Sequence, residues 1–135
     1  MDIQLILHME NTQTKLENAA DGLLMMSESD YPFDYFTTTD EVVDDNLILK
    51  LAGKPAGTLV EKTTLDYLLR NMTNPASGSV SPEIATRFSQ LSTALKQELS
   101  EPEVYRVGDR QIDVFILGKT NEGVIAGMRT KLIET

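Results

Sequence analysis

The sequence lacks cysteine and tryptophan entirely and has one histidine in 135 residues. Without cysteine there is no disulfide framework, no thiolate nucleophile and no thiolate zinc site. With His8 as the sole imidazole, a Cys–His pair and a His-rich metal site are excluded too. His8 lies beside Leu5 and Met9 and reads as a structural or surface residue. Long apolar runs are missing, so no stretch approaches a membrane span. The opening Met1-Asp2-Ile3-Gln4 lacks the basic region of a signal peptide, and the cytoplasm is the expected compartment.

Basic residues are absent from one long stretch. No Lys or Arg falls between Lys15 and Lys50, while Glu17, Asp21, Glu28, Asp30, Asp34, Asp40, Glu41, Asp44 and Asp45 all do. These nine acids equal the net charge of −9, so the remainder of the chain is near neutral. An anionic surface of this kind repels nucleic acid and anionic membranes and attracts a basic partner. The simpler reading is a solvated acidic face that keeps the protein soluble.

What is present is ordinary globular material, 41% hydrophobic and 24% charged. The length suits a single domain over residues 1–135. Leu5, Met9, Leu16, Ala19, Ala20 and Leu23 make a helical stripe that should end near Met26, because Pro32 forces Tyr31 out of helical angles. Tyr31–Asp45 reads as loop or edge. Asn46–Leu51 reads as a short strand, followed by a turn over Gly53–Gly57. Thr63 is placed to cap a short helix with Leu65, Leu68, Leu69 and Met72 on its apolar stripe. Ala76-Ser77-Gly78-Ser79 reads as a flexible loop. Ser81 and Pro82 then open a long helix with Ile84, Phe88, Leu91, Leu95 and Leu99 buried. The last third reads as a β-meander over Val104–Val107, Gln111–Leu117 and Val124–Ile133. Ile112, Val114 and Ile116 alternate with Phe115 and Leu117, so this sheet needs cover on both faces. The expected fold is α+β, a three-layer α-β-α sandwich around an antiparallel sheet.

Candidate chemistry is thin. Gly118-Lys119-Thr120 has the end of a phosphate-binding loop, yet Asp113 stands where that motif needs its first glycine. Asp40, Glu41, Asp44 and Asp45 lack the spacing and glycine of a calcium loop, and a solvated acidic loop is the simpler reading. Glu28 and Asp30 could do acid–base work only if one were raised in pKa, and the flanking serines point to a wet setting. Arg129 and Lys131 share one strand face and are expected to pair with acids elsewhere in the sheet. The ending Lys131-Leu132-Ile133-Glu134-Thr135 leaves a predicted strand, where Thr135 brings hard oxygen ligands for a divalent cation.

Two stretches carry more information. Ala20-Asp21-Gly22-Leu23-Leu24-Met25-Met26-Ser27-Glu28-Ser29-Asp30-Tyr31-Pro32-Phe33-Asp34 resembles the signature of the nuclease A inhibitor family. So do Pro102–Gly108, Ile112–Thr120, Gly123, Ala126-Gly127, Thr130-Lys131 and the final Glu134-Thr135. The resemblance covers nearly the whole chain and is weak between Thr37 and Lys62. It implies an α-β-α sandwich and a protein that occupies the active site of a sugar-non-specific, divalent-metal-dependent nuclease. The family's key glutamate has the same Ser-Glu-Ser context as Glu28, and its metal-reaching C-terminal threonine corresponds to Thr135. The resemblance thus implies a partner-binding surface of Ser27, Glu28, Ser29, Asp30, Glu134 and Thr135. It implies no catalysis, no cofactor, no metal of the protein's own and no direct nucleic-acid contact. The expected partner is a basic metal-dependent nuclease, bound by a monomer in a 1:1 complex. Thr73–Ser81 departs from the pattern, because the family loop carries a glutamine and a tryptophan and this one carries neither. A protein-binding module of the same fold with a non-nuclease partner is therefore the alternative, and an enzyme using Glu28 is a third. The inhibitor reading requires Glu28 and Thr135 to lie at the same end of the fold.

Overall fold

A computed structural model describes residues 3–134, with side chains from residue 11 onward. Helix α1 runs Ile3–Ala20, followed by strands β1 (Leu24–Met25), β2 (Tyr31–Pro32) and β3 (Asp34–Thr38). Then come helix α2 (Asp45–Ala52), strand β4 (Val60–Thr63), helix α3 (Leu65–Leu68) and helix α4 (Pro82–Glu98). Strands β5 (Ser100–Val107), β6 (Gln111–Lys119) and β7 (Ile125–Ile133) close the chain. Five strands form one antiparallel sheet in the order β3-β7-β6-β5-β4, and β1 pairs with β2 in a small ribbon.

The sheet has two covered faces, as the β6 pattern requires. Ile112, Val114 and Ile116 join Leu16, Leu69, Phe88, Leu91 and Leu95 in the core beneath α1, α3 and α4. Phe115 and Leu117 point the other way and pack with Leu47 and Ile48 of α2. Three layers result. Close approach inside the sheet fixes Gly127, because a Cβ there would sit 1.8 Å from the Ile116 carbonyl oxygen.

Helix α4 forms where expected. Ser81 Oγ accepts from the Ile84 N–H at 3.2 Å, and Pro82 occupies the first turn. Its apolar face buries Ala85, Phe88, Leu91 and Leu95.

Several expectations change. Asn46–Leu51 is not a strand but most of α2. Its apolar run suits either period, and the decision falls to the ends. The Asp44 carboxylate accepts from the Leu47 N–H at 2.9 Å. Gly53, at φ 67, donates to the carbonyls of Leu49 and Lys50. Such a pair of caps favours helix over strand. Helix α1 stops at Ala20 rather than near Met26, because Gly22 takes a left-handed turn (φ +75). Thr64, not Thr63, caps α3 through a bond from the Tyr67 N–H at 3.1 Å. Strand β5 begins at Ser100 instead of Val104. A register shift between Ser100 and Glu103, with Glu101 at φ 45, leaves Glu101 and Pro102 outside the pairing, so the strand carries a proline that has no N–H to give. Among the described residues no helix is long and apolar enough to cross a membrane.

Candidate functional site

The β1–β2 ribbon turns the Ser-Glu-Ser segment into the tip of a hairpin. Leu24 pairs with Pro32 and Met25 with Tyr31, leaving Met26–Asp30 as the connecting loop. Buried Met25 and Phe33 fasten the base of the ribbon into the core. The Phe33 ring meets Phe88 edge-on, with centroids 6.2 Å apart.

The tip itself is fastened to the end of β7. Ser27 Oγ accepts from the Ile133 N–H at 2.9 Å and donates to the Ser29 carbonyl at 2.8 Å. The Glu28 N–H donates to the Ile133 carbonyl at 3.3 Å. Nearer the base, Thr130 Oγ1 donates to the Tyr31 carbonyl, also at 3.3 Å. Ser27 is half-buried by these contacts, whereas Glu28, Ser29 and Asp30 are exposed.

The segment after β7 is held as firmly. Both carboxylate oxygens of Glu134 lie 2.9 Å from one guanidinium nitrogen of Arg106. The Glu134 N–H donates to the Arg110 carbonyl at 2.8 Å. Thr135 lies outside the described residues, as does the side chain of His8. Ile133, two residues before Thr135, is bonded through the backbone to Glu28. Of the six expected site residues, Ser27, Glu28, Ser29, Asp30 and Glu134 therefore gather at one end of the sheet.

The acidic stretch does not form one surface. Strand β3 separates Glu28 and Asp30 from Asp40, Glu41, Asp44 and Asp45, which follow at its far end, beside Ile125. Across the length of β7 the two groups are about 25 Å apart. The far group is partly committed to structure. Asp44 caps α2, and Asp40 pairs with Lys50 at 3.2 Å. Bonds from the Thr38 hydroxyl and then Lys50 hold the Asp40 carboxyl below the usual carboxylate range. Among the described residues no three His, Asp or Glu side chains converge as metal ligands would. Arg129 and Lys131 make no ion pair among these residues and lie instead over the rings of Phe115 and Tyr31, at 5.1 and 5.9 Å.

Burial, then the Glu17 carboxylate, raises the Tyr35 hydroxyl on β3, and the remaining perturbed groups sit on the β4–β5 edge. Lys62 bonds Glu103 at 2.9 Å. That bond holds the Glu103 carboxyl low and the Lys62 ammonium high. Burial, then the Glu103 carboxylate, raises the Tyr105 hydroxyl. This is an exposed ion pair across two strands.

Beside the tip lies a cleft of about 200 Å³. Ser27, Met26 and Glu134 line one side, Tyr67, Arg70 and Asn71 another, and Ser79 brings in the Thr73–Ser81 loop. That loop is more ordered than its composition suggests. Asn74 caps a short turn over Pro75–Ser77, and Ser77 Oγ donates to the Asn71 carbonyl at 2.7 Å.

Sequence reasoning missed Arg106, Tyr67 and Arg70. Arg106 was legible in principle, since period-two alternation places it on the face of Val104. Nothing in the sequence ties Tyr67 to Ser27.

A family model described as nuclease A inhibitor-like protein matches residues 10–135. None of the curated proteins matches the chain.

Proposed function

The chain belongs to the nuclease A inhibitor-like family, and from that premise we propose that it inhibits a sugar-non-specific, divalent-metal-dependent nuclease by occupying its active site. The observation that carries the reading is the fastening of the Glu28 tip to the end of β7, through Ile133 N–H to Ser27 Oγ at 2.9 Å and Glu28 N–H to Ile133 carbonyl at 3.3 Å. One support thus serves both Glu28 and the end of β7, from which Glu134 follows.

A nuclease cleft is basic because it holds phosphates, and an acidic protein is steered into it. The exposed Glu28 carboxylate stands in for a phosphate oxygen near the nuclease's metal, with no scissile bond to cleave. Thr135 supplies further oxygen ligands to that metal, which belongs to the partner. Ser27 acts by position rather than by contact. Its hydroxyl is consumed by Ile133 and Ser29, so it holds the loop that presents Glu28. Arg106 plays the same part for Glu134. The protein performs no chemistry and acts as an inert mimic of substrate, one molecule per nuclease.

A DNA-degradation titration tests this, using the sugar-non-specific nuclease that the family's characterised inhibitor blocks. Wild type should inhibit stoichiometrically, and Glu28→Ala and a Thr135 deletion should each weaken inhibition while melting like wild type. A folded wild type without inhibition would reject the reading in favour of a binding module with another partner. The Thr73–Ser81 loop, which lacks a large aromatic side chain, is the feature that favours that second reading.

A further inference from the structure

We infer that Tyr67 and Arg70 form a preassembled second contact patch for the same nuclease, receiving a carboxylate side chain from the rim of its active site; this rests on the inhibitor reading above.

Helix α3 is short, and its other apolar members Leu65 and Leu68 are 3% and 5% exposed. Tyr67 is 54% exposed, so the core makes little use of its ring. The ring is nonetheless not loose. The Arg70 guanidinium lies 3.8 Å from its centroid, and Nη1 donates to the Tyr67 carbonyl at 2.7 Å. A guanidinium stacked in this way has already lost most of the rotamer freedom that binding would otherwise remove. Exposed, rigid Tyr and Arg are the residue types that dominate binding energy at protein interfaces.

Charge decides what enters. Two guanidinium groups border the cleft beside the tip. Arg106 is satisfied by Glu134. Among the described residues Arg70 pairs with no carboxylate and bonds only the Tyr67 carbonyl, through Nη1. In a protein of net charge −9, this cation lines a cleft together with Ser27, the residue before Glu28. The surface therefore asks for opposite charges a short distance apart, a cation or metal at Glu28 and an anion at Arg70. A carboxylate side chain fits a cleft of about 200 Å³ and matches the planar fork of Arg70.

Area points the same way. The hairpin tip and the Glu134-Thr135 segment present only a handful of residues, while a specific interface buries about 800 Å² per partner. The cleft shares Ser27 and Glu134 with the tip, so a body that covers Glu28 extends across Tyr67.

The test is inhibition by Tyr67→Ala, Arg70→Ala and Arg70→Glu beside wild type and Glu28→Ala, with a melting curve for each. The probe is the same sugar-non-specific nuclease with Mg²⁺. Tyr67→Ala and Arg70→Ala are expected to weaken inhibition by about 10- to 100-fold. Arg70→Glu should be worse than Arg70→Ala, with the gap narrowing as salt is raised. If Glu28→Ala abolishes inhibition while Tyr67→Ala and Arg70→Ala stay within about twofold of wild type, the patch is refuted and the inhibitor reading stands. If Tyr67→Ala weakens inhibition but Arg70→Glu equals Arg70→Ala, the visitor is apolar and the carboxylate is refuted. If folded wild type does not inhibit, the inhibitor reading fails and this inference falls with it.

Discussion

Ser27→Ala isolates the link between the hairpin tip and β7. The change removes an acceptor from the Ile133 N–H at 2.9 Å and a donor to the Ser29 carbonyl at 2.8 Å. A net hydrogen bond is worth about 0.5–1.5 kcal/mol, so the tip loses about 1–3 kcal/mol of its hold. The Glu28 and Thr130 bonds that stay are longer, both at 3.3 Å. A loss of about 2 kcal/mol shifts a local equilibrium roughly 30-fold, and affinity falls in proportion to the population still held. Inhibition should therefore weaken by about 5- to 30-fold. Ser27→Thr keeps the hydroxyl and should restore most of it. The discriminating assay is a double-mutant cycle with Glu28→Ala, read as nuclease inhibition. If Ser27 works only by presenting Glu28, then Ser27→Ala costs little once Glu28 is gone. Fully additive losses would mean that Ser27 touches the nuclease itself, and wild-type inhibition by folded Ser27→Ala would mean that the tip needs no hold.

Other outcomes can be checked on the same samples. Arg106→Ala should lower stability by no more than about 1 kcal/mol, as for exposed ion pairs, yet weaken inhibition by more than Lys50→Ala, which breaks the pair with Asp40 beyond the far end of β3; equal effects would detach Glu134 from the site. Gly127→Ala drives a Cβ into the Ile116 carbonyl and should destabilise by more than about 3 kcal/mol in a urea melt. Asp44→Ala removes the α2 cap and should destabilise by about 1 kcal/mol, leaving inhibition by the folded fraction unchanged. Asp40 and Glu103 are held below their usual range in the folded state by Thr38 with Lys50 and by Lys62. A depressed folded pKa means that their stabilisation is present above the ordinary carboxylate pKa and is lost as pH falls through the folded value. Asp40→Asn with Glu103→Gln should accordingly flatten the loss of stability between neutral and acid pH, and an unchanged slope would reject that assignment.

Layers, sheet direction and the long helix α4 were legible because each has redundant signals. Ser81, Pro82 and the Phe88–Leu95 stripe agree, and the β6 alternation called for cover on two faces. The strand reading of Asn46–Leu51 failed where periodicity was ambiguous. Leu47, Leu49 and Leu51 alternate like a strand, while the Asp44 and Gly53 caps that settle the matter lie outside the run. Strand β4 was missed because only Val60 and Thr63 of its residues are even half-buried, so it carries little pattern. At the candidate site, the Ser-Glu-Ser signature was visible. Its bond to Ile133 was not, since 106 residues separate the partners and nothing local encodes such a meeting. The Tyr67–Arg70 pair is hidden for a related reason, being a neighbour of the tip only after α3 has docked on the sheet.

That span of 106 residues has a consequence for how activity reports on folding. The tip gains its hold only after β7 has taken its place between β3 and β6, a closure that joins the two ends of the chain. A partly folded intermediate, however compact, would present Glu28 on an untethered loop. Contacts of such sequence separation also form slowly. During refolding from urea, inhibitory capacity should lag behind recovery of helical signal, so titration against a known amount of nuclease counts finished molecules rather than structured ones.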